Sequence, residues 1–301
     1  MLSSHVVMNG ALVAKEEATV SVDAPAFRYG AMVFEGIRLY ADDAGRLHCF
    51  RHLDHLTRLR DSMRVLQFLP VPSLTELEAL LLGSLEQLDV DNDAHIRVMV
   101  YVDGSGPMWD SGPLGTVVMA TSITSSLPGC REAKGWITSW RRIDGAAMPP
   151  RVKSAANYQN SRLGVLEARA AGADVALFLD RDGRLTEAHG SCVLVVRRGT
   201  VATPTRTSGI LESITRDTLL TLLRDEGIEV EERDIDRIEL TNADELILCG
   251  SMAEVTALSA VGDVELPGAT GPIAGLLGAR YEDVVRARHP RSTGWCAPLT
   301  R

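Results

Sequence analysis

The chain has 301 residues, 45% hydrophobic and 24% charged, which is the balance of a globular protein with room for two domains. A formal net charge of −9 argues against a nucleic-acid partner, since phosphate contacts need a basic face. No apolar run approaches the length of a membrane span, and the opening residues lack a signal-peptide pattern. The five cysteines (Cys49, Cys130, Cys192, Cys249, Cys296) form no CxxC pair, so the expectation is a cytoplasmic chain without disulfide framework, metal site or membrane contact.

In chain order, residues 11–13 and 18–22 read as short β-type runs, and Phe27 to Gly30 as a turn or short helix entering a strand within 31–40. Asp42 to Gly45 is a hairpin turn before a strand at 47–50. Leu53, Leu56, Leu59, Met63 and Leu66 recur at helical spacing. A second helix runs over 73–87, with Ser73 and Glu76 as a capping pair. Strands follow at 95–102 and 116–121. The polar stretch 122–132, with Pro128 and Gly129, reads as an interdomain connection. It separates a small N-terminal α/β domain over 1–121 from a larger, β-rich α/β domain over 133–301. In the latter, strands are expected at 136–140, 175–179, 193–196, 200–203 and 245–250, and helices at 160–171, 214–225 and 271–285. The tail from 287 reads as polar and loose.

Three features of the larger domain suit one cofactor. Lys153 stands among Val152, Ala155 and Ala156, small or apolar neighbours that fit a confined amine able to attack a carbonyl. Glu187, at a strand end, is either a turn carboxylate or a partner for a protonated ring nitrogen. Ser213 precedes a helix whose first N–H groups, at Ile214 and Thr215, would point at an anion. Ser251 adds a hydroxyl in a turn after Gly250, Tyr158 a phenol at a helix start, and Arg58 a cation on the small-domain helix. No GxGxxG turn follows an early strand, which removes the doubly wound dinucleotide enzymes.

Taken in order, several motifs resemble the class IV (fold type IV) pyridoxal-phosphate aminotransferases, most closely the branched-chain amino acid aminotransferases. They are Tyr29-Gly30 with Phe34-Glu35-Gly36-Ile37-Arg38; Phe50-Arg51-His52 with His55-Leu56-Thr57-Arg58; Lys153 with Asn157-Tyr158; Glu187 with Gly190; Ile214-Thr215-Arg216-Asp217; and Gly250-Ser251. The resemblance implies a two-domain α/β fold, with pyridoxal 5'-phosphate bound covalently through Lys153. Tyr158 would contact the ring oxygen, Glu187 the ring nitrogen and Leu211 the ring face, while Arg58, Ile214, Thr215 and Ser251 would hold the phosphate. Phe34, Gly36, Arg38, His95, Arg97 and Met252 would line the substrate pocket, and Tyr29 would enter a neighbouring subunit's site in a homodimer or larger assembly. The implied reaction is ping-pong transfer of an amino group between an amino acid and a 2-keto acid such as 2-oxoglutarate. D-amino acid or R-selective amine aminotransferases, and an aminodeoxychorismate lyase, are the alternatives within the class. The chain departs from the family in carrying Ala155-Ala156 for two glycines, Glu212-Ser213 for Pro-Gly, Ser251-Met252 for Thr-Ala, and His95 where branched-chain enzymes usually carry tyrosine.

Overall fold

The computed structural model describes residues 4–266 and 271–299. The elements run β1 (His5–Met8), β2 (Ala11–Ala14), α1 (Pro25–Tyr29), β3 (Met32–Ala41), β4 (Leu47–Phe50), α2 (His52–Val65), α3 (Leu74–Leu88), β5 (Ala94–Val102) and β6 (Leu114–Ser122). Next come β7 (Arg131–Arg141), α4 (Tyr158–Ala170), β8 (Val175–Leu179), β9 (Leu185–Ala188), β10 (Cys192–Arg197), β11 (Thr200–Thr203), α5 (Ile214–Asp225) and β12 (Val230–Glu232). Then follow α6 (Arg237–Thr241), β13 (Glu245–Gly250), β14 (Glu254–Val261), β15 (Val264–Glu265), α7 (Pro272–Val285), α8 (Ser292–Trp295) and β16 (Cys296–Pro298).

The chain forms two compact units. One takes the sequence up to Ser125, the short segment Val152–Ala156 and the end of the chain from Val284; the other takes Ser126–Arg151 and Asn157–Asp283. The change of unit at Ser125/Ser126 falls inside the polar stretch 122–132. The units are not contiguous, however, as the expected division into 1–121 and 133–301 has them. Strand pairing with residues far away in sequence recruits two later segments to the first unit, and local composition carries no trace of such pairing.

The first unit is built on a seven-stranded sheet, in the order β16-β4-β3-β5-β6-β1-β2. β3 and β5 pair antiparallel from Met32 opposite Tyr101 to Leu39 opposite Ala94. Alternation along these strands sends Val33, Ile37, Leu39, Ile96, Val98 and Val100 into a core with Leu56, Leu59 and Met63 of α2 and Leu77, Leu81 and Leu85 of α3. The opposite face presents Phe34, Gly36 and Arg38 beside Met99, Arg97 and His95. α3 starts at the expected capping box, with Ser73 Oγ accepting the Glu76 N–H and the Glu76 carboxylate accepting the Ser73 N–H. Two expectations fail here. Residues 18–22 form no strand: Val20 and Val22 are exposed, and β-type residues without a paired neighbour have nothing to pack against. The tail, as far as residue 299, is ordered rather than loose, residues 300–301 lying outside the described residues: β16 adds to β4, with Cys296 opposite Phe50.

The second unit has a nine-stranded sheet, β12-β11-β10-β13-β14-β7-β8-β9, with β15 beside β14. Leu177, Val193, Val195, Leu246, Leu248 and Leu258 form the centre of its core. α4 packs on β7 and β8. It approaches so closely that a Cβ at Gly164 would lie 2.3 Å from the Phe178 ring. α5 runs over the expected residues because Ser213 caps it and its buried side, Leu219, Leu220, Leu222 and Leu223, follows the apolar pattern. All five cysteines are free thiols. Burial pushes the Cys130 thiol up to about 11 and the Cys249 thiol well above its usual range.

Candidate active site

Only three lysines occur in the chain, Lys15, Lys134 and Lys153. The first two are exposed, and Lys153 is half-buried. Its backbone explains its position. β4 pairs with β3 only over Leu39 to Ala41, leaving the first half of that edge open. Lys153 and Ser154 fill it. The Phe34 N–H donates to the Lys153 carbonyl at 3.1 Å, and Ser154 bridges Val33. The Lys153 N–H donates in turn to Ser62 Oγ of α2 at 3.3 Å. The side chain then lies across the Phe34 ring, with Nζ 5.2 Å from the ring centroid, and Arg97 lies 5.3 Å from the same centroid.

Glu35 points to the other side of β3 and is fully buried. Arg58 grips it with two nitrogens, at 2.7 and 2.8 Å, and His55 Nδ1 lies 2.7 Å away. Burial works against the charge on Glu35, but Arg58 and His55 outweigh it and hold the carboxyl well below the usual carboxylate range. Burial lowers the pKa of His55 despite the neighbouring Glu35, to which its Nδ1 is hydrogen-bonded. Arg58 is thus an oriented cation, with one face committed to Glu35.

On the face of the sheet that carries Phe34, His95 lies over Gly36, where a Cβ would come within 2.5 Å of His95 Nε2. Only glycine leaves room for that ring. Arg38, opposite His95 in register, is buried and stacks 4.8 Å from the Tyr40 ring centroid. Burial, followed by the charges of Arg97, Arg38, Lys153 and His55, pushes His95 down to about 3. A group with a depressed folded pKa contributes stability above its unfolded pKa and loses it as pH falls. Stability is therefore expected to decline with acidification from about 6.5 towards 3, the unfolded chain binding the proton that the fold refuses. Urea melts of the wild type and His95→Gln at successive pH values test this, and the variant should show the shallower decline.

In the second unit Glu187 sits on β9, nearly buried. Its Oε1 pairs with Arg142 at 2.5 Å, and its Oε2 accepts the Leu211 N–H at 2.9 Å. Arg142 follows β7 directly and is fixed by its own N–H donating to the Leu179 carbonyl. The carboxylate therefore ties together β9, the end of β7 and the segment leading into α5. At that helix start Ser213 Oγ accepts the Arg216 N–H at 3.1 Å, with Ile214 and Thr215 as the first two helical residues. Arg216 anchors this turn to the Thr203 hydroxyl, the Pro204 carbonyl and the Glu232 carboxylate. Ser251 and Met252 lie in the turn joining β13 to β14, and Tyr158 opens α4.

Each expected residue thus has a defined place. Tyr29, Phe34, Gly36, Arg38, Arg58, His95, Arg97 and Lys153 belong to the first unit; Tyr158, Glu187, Leu211, Ile214, Thr215, Ser251 and Met252 belong to the second. Glu35, His55 and Arg216 stand within the motifs that carry the resemblance but receive no role from them, and no pattern singles out Arg142. The available signal is a charged residue within an apolar strand, as at Glu35 between Phe34 and Ile37. The partner that makes such a charge tolerable lies elsewhere in sequence.

The first unit thus carries a half-buried amine, and the second a buried carboxylate locked by an arginine and an N–H together with a capped helix start and a hydroxyl-bearing turn. The fold is that of the fold type IV pyridoxal-phosphate enzymes. The family profile "Amino-transferase class IV" matches residues 32–261. The chain belongs to this family and is a pyridoxal-phosphate-dependent transaminase. It is 32% identical over 296 residues to the probable branched-chain-amino-acid aminotransferase of Aquifex aeolicus, covering 96% of this chain and 95% of that one. The crystal structure of the Thermobaculum terrenum branched-chain amino acid aminotransferase in its PLP form superimposes with a TM-score of 0.92 at 36% identity, covering 100% of this chain and 99% of that one. The Thermoproteus uzoniensis branched-chain aminotransferase with norvaline gives a TM-score of 0.92 at 32% identity, covering 99% and 100%.

Proposed function

We propose that this chain is a branched-chain amino acid aminotransferase, moving the amino group of a branched-chain L-amino acid to a 2-keto acid such as 2-oxoglutarate in a ping-pong exchange. The likeness to branched-chain enzymes over nearly the whole chain carries this reading. When bound, pyridoxal phosphate supplies the aldehyde that accepts the amino group and the ring that takes up electrons released at the α-carbon. Lys153 would anchor it covalently and, once freed, would carry the proton from the substrate α-carbon to the cofactor carbon that bore the aldehyde. Glu187, its charge fixed in place by Arg142, keeps a proton on the ring nitrogen. Tyr158 donates to the ring oxygen and Leu211 covers a ring face. Arg58, the N–H groups of Ile214 and Thr215, and Ser251 hold the phosphate.

Phe34, Gly36, His95 and Met252 bound the space for the substrate side chain, and Arg38 and Arg97 supply cations for a carboxylate. The chain works as a cytoplasmic homodimer in which Tyr29 contributes to the neighbouring subunit's site. Support comes from the exposed Phe27, Tyr29, Met108 and Trp109, the last three of which border an open cavity of about 550 Å³. A panel of L-leucine, L-isoleucine, L-valine, D-alanine and an R-amine against 2-oxoglutarate and pyruvate tests the reading. Highest kcat/KM with the branched L-amino acids is expected. Preference for a D-amino acid or R-amine, or pyruvate release without any keto acceptor, would contradict it.

A further inference from the structure

The turn that carries Ser251 and Met252 is short and unusually held. Gly250 stands opposite Glu254 in the β13–β14 register, leaving residues 251–253 as the turn. Tight hairpin turns of this kind close on a residue in the left-handed region, where glycine is the undemanding choice. Here that residue is Glu254, at φ 49° and 0% exposed. Burying a carboxylate in a conformation that favours glycine is unfavourable on both counts.

What the glutamate does there is visible. Its Oε2 accepts the N–H and the hydroxyl of Ser126, both at 2.9 Å. Ser126 is the first residue of the second unit, where the chain arrives from Ser125. On the far side, the Thr256 hydroxyl donates to the Ala253 carbonyl at 2.8 Å. The turn is therefore fixed from the incoming connection and from β14 at once. Glycine would relax the backbone but leave Ser126 unheld.

We propose that Glu254 is a positioning residue: by clamping Ser126 it fixes the Ser251–Met252 turn, and so sets the affinity of the enzyme for the cofactor phosphate and for the substrate carboxylate. This rests on the reading of Ser251 as a phosphate ligand and of Met252 as a neighbour of the substrate carboxylate. Glu254→Gly removes the clamp while relieving the backbone, and Glu254→Gln keeps an acceptor oxygen for Ser126.

The test compares wild-type and variant holoenzymes by cofactor dissociation constant, from the absorbance of the bound cofactor, by KM and kcat for L-leucine, and by melting temperature. Glu254→Gly should weaken cofactor binding about tenfold and raise KM more than it lowers kcat, as loss of hydrogen bonds to a charged group would do. Glu254→Gln should return to within about threefold of wild type. A carboxylate that only staples structure behaves differently. Glu167 accepts from Trp136, Thr138 and Ser139 at 2.8 to 3.1 Å, and Glu167→Gln should lower the melting temperature without changing cofactor affinity.

The proposal is overturned if Glu254→Gly lowers only the melting temperature, like Glu167→Gln, while Ser251→Ala weakens cofactor binding. If Ser251→Ala also leaves the affinity unchanged, the assignment of this turn to the phosphate fails first and takes the proposal with it. Should Glu254→Gly not fold, Ser126→Ala, which removes only the hydroxyl donor, should still weaken cofactor binding about threefold. An unchanged affinity there overturns the proposal equally.

Discussion

Lys153→Ala should lower turnover by roughly ten-thousand-fold or more and remove the absorbance of covalently bound cofactor, because the proposed mechanism has one side chain both anchor the cofactor and carry the proton. Two features make this loss severe. Lys15 and Lys134 are exposed, so no second buried amine can substitute. The backbone hydrogen bonds that seat the segment, from Phe34 N–H to the Lys153 carbonyl and from Lys153 N–H to Ser62, do not involve the side chain. The variant should therefore fold and melt close to wild type, which separates loss of chemistry from loss of structure. Steady-state assays with L-leucine and 2-oxoglutarate, alongside a thermal melt, check both halves. A half-reaction near the wild-type rate in this variant would remove Lys153 from its role.

The second large effect concerns Glu187. Both its side chain and that of Arg142 are at most 7% exposed, so the pair is a desolvated ion pair rather than a surface one. Glu187→Gln keeps an acceptor for the Leu211 N–H but leaves the Arg142 charge without its carboxylate. A cost of about 3 kcal/mol in stability is expected, as for other buried pairs deprived of one partner. Turnover should fall on the order of a hundredfold, since a neutral amide does not hold a proton on the ring nitrogen. The double variant Glu187→Gln/Arg142→Met distinguishes the two effects. Removing the stranded cation should restore most of the stability, while turnover stays low. Recovery of activity together with stability would mean that Glu187 serves the fold alone.

Much of the fold was legible because it is local. α5 and β13 occupy their expected residues: Ser213 marks a helix start, apolar spacing marks a buried helix side, and a run of Leu and Ile ending at Gly250 marks a strand. The capping box at Ser73 and Glu76 placed α3 for the same reason. Long-range pairing was not legible. Nothing near Cys296 announces a strand, since its partner is Phe50. Nothing near Lys153 shows that its backbone completes the edge of β3. Conversely, residues 18–22 have strand-like composition and no strand beside them.

The same division holds for the site. Lys153, Glu187 and the α5 start could be named from motif order, because each sits in a short, characteristic segment. The groups that hold them, Arg142 on Glu187 and the Glu35–His55–Arg58 cluster behind Phe34, depend on distances between residues far apart in the chain. Sequence therefore names the groups proposed to meet the cofactor more readily than those that set their geometry and charge.

Borohydride reduction of the yellow holoenzyme, followed by peptide mapping, tests the central assignment most directly, because the chain offers only three lysines. Stoichiometric phosphopyridoxyl labelling at Lys153 is the predicted result. Labelling at Lys15 or Lys134, or a colourless protein that pyridoxal phosphate neither changes nor modifies, would contradict it.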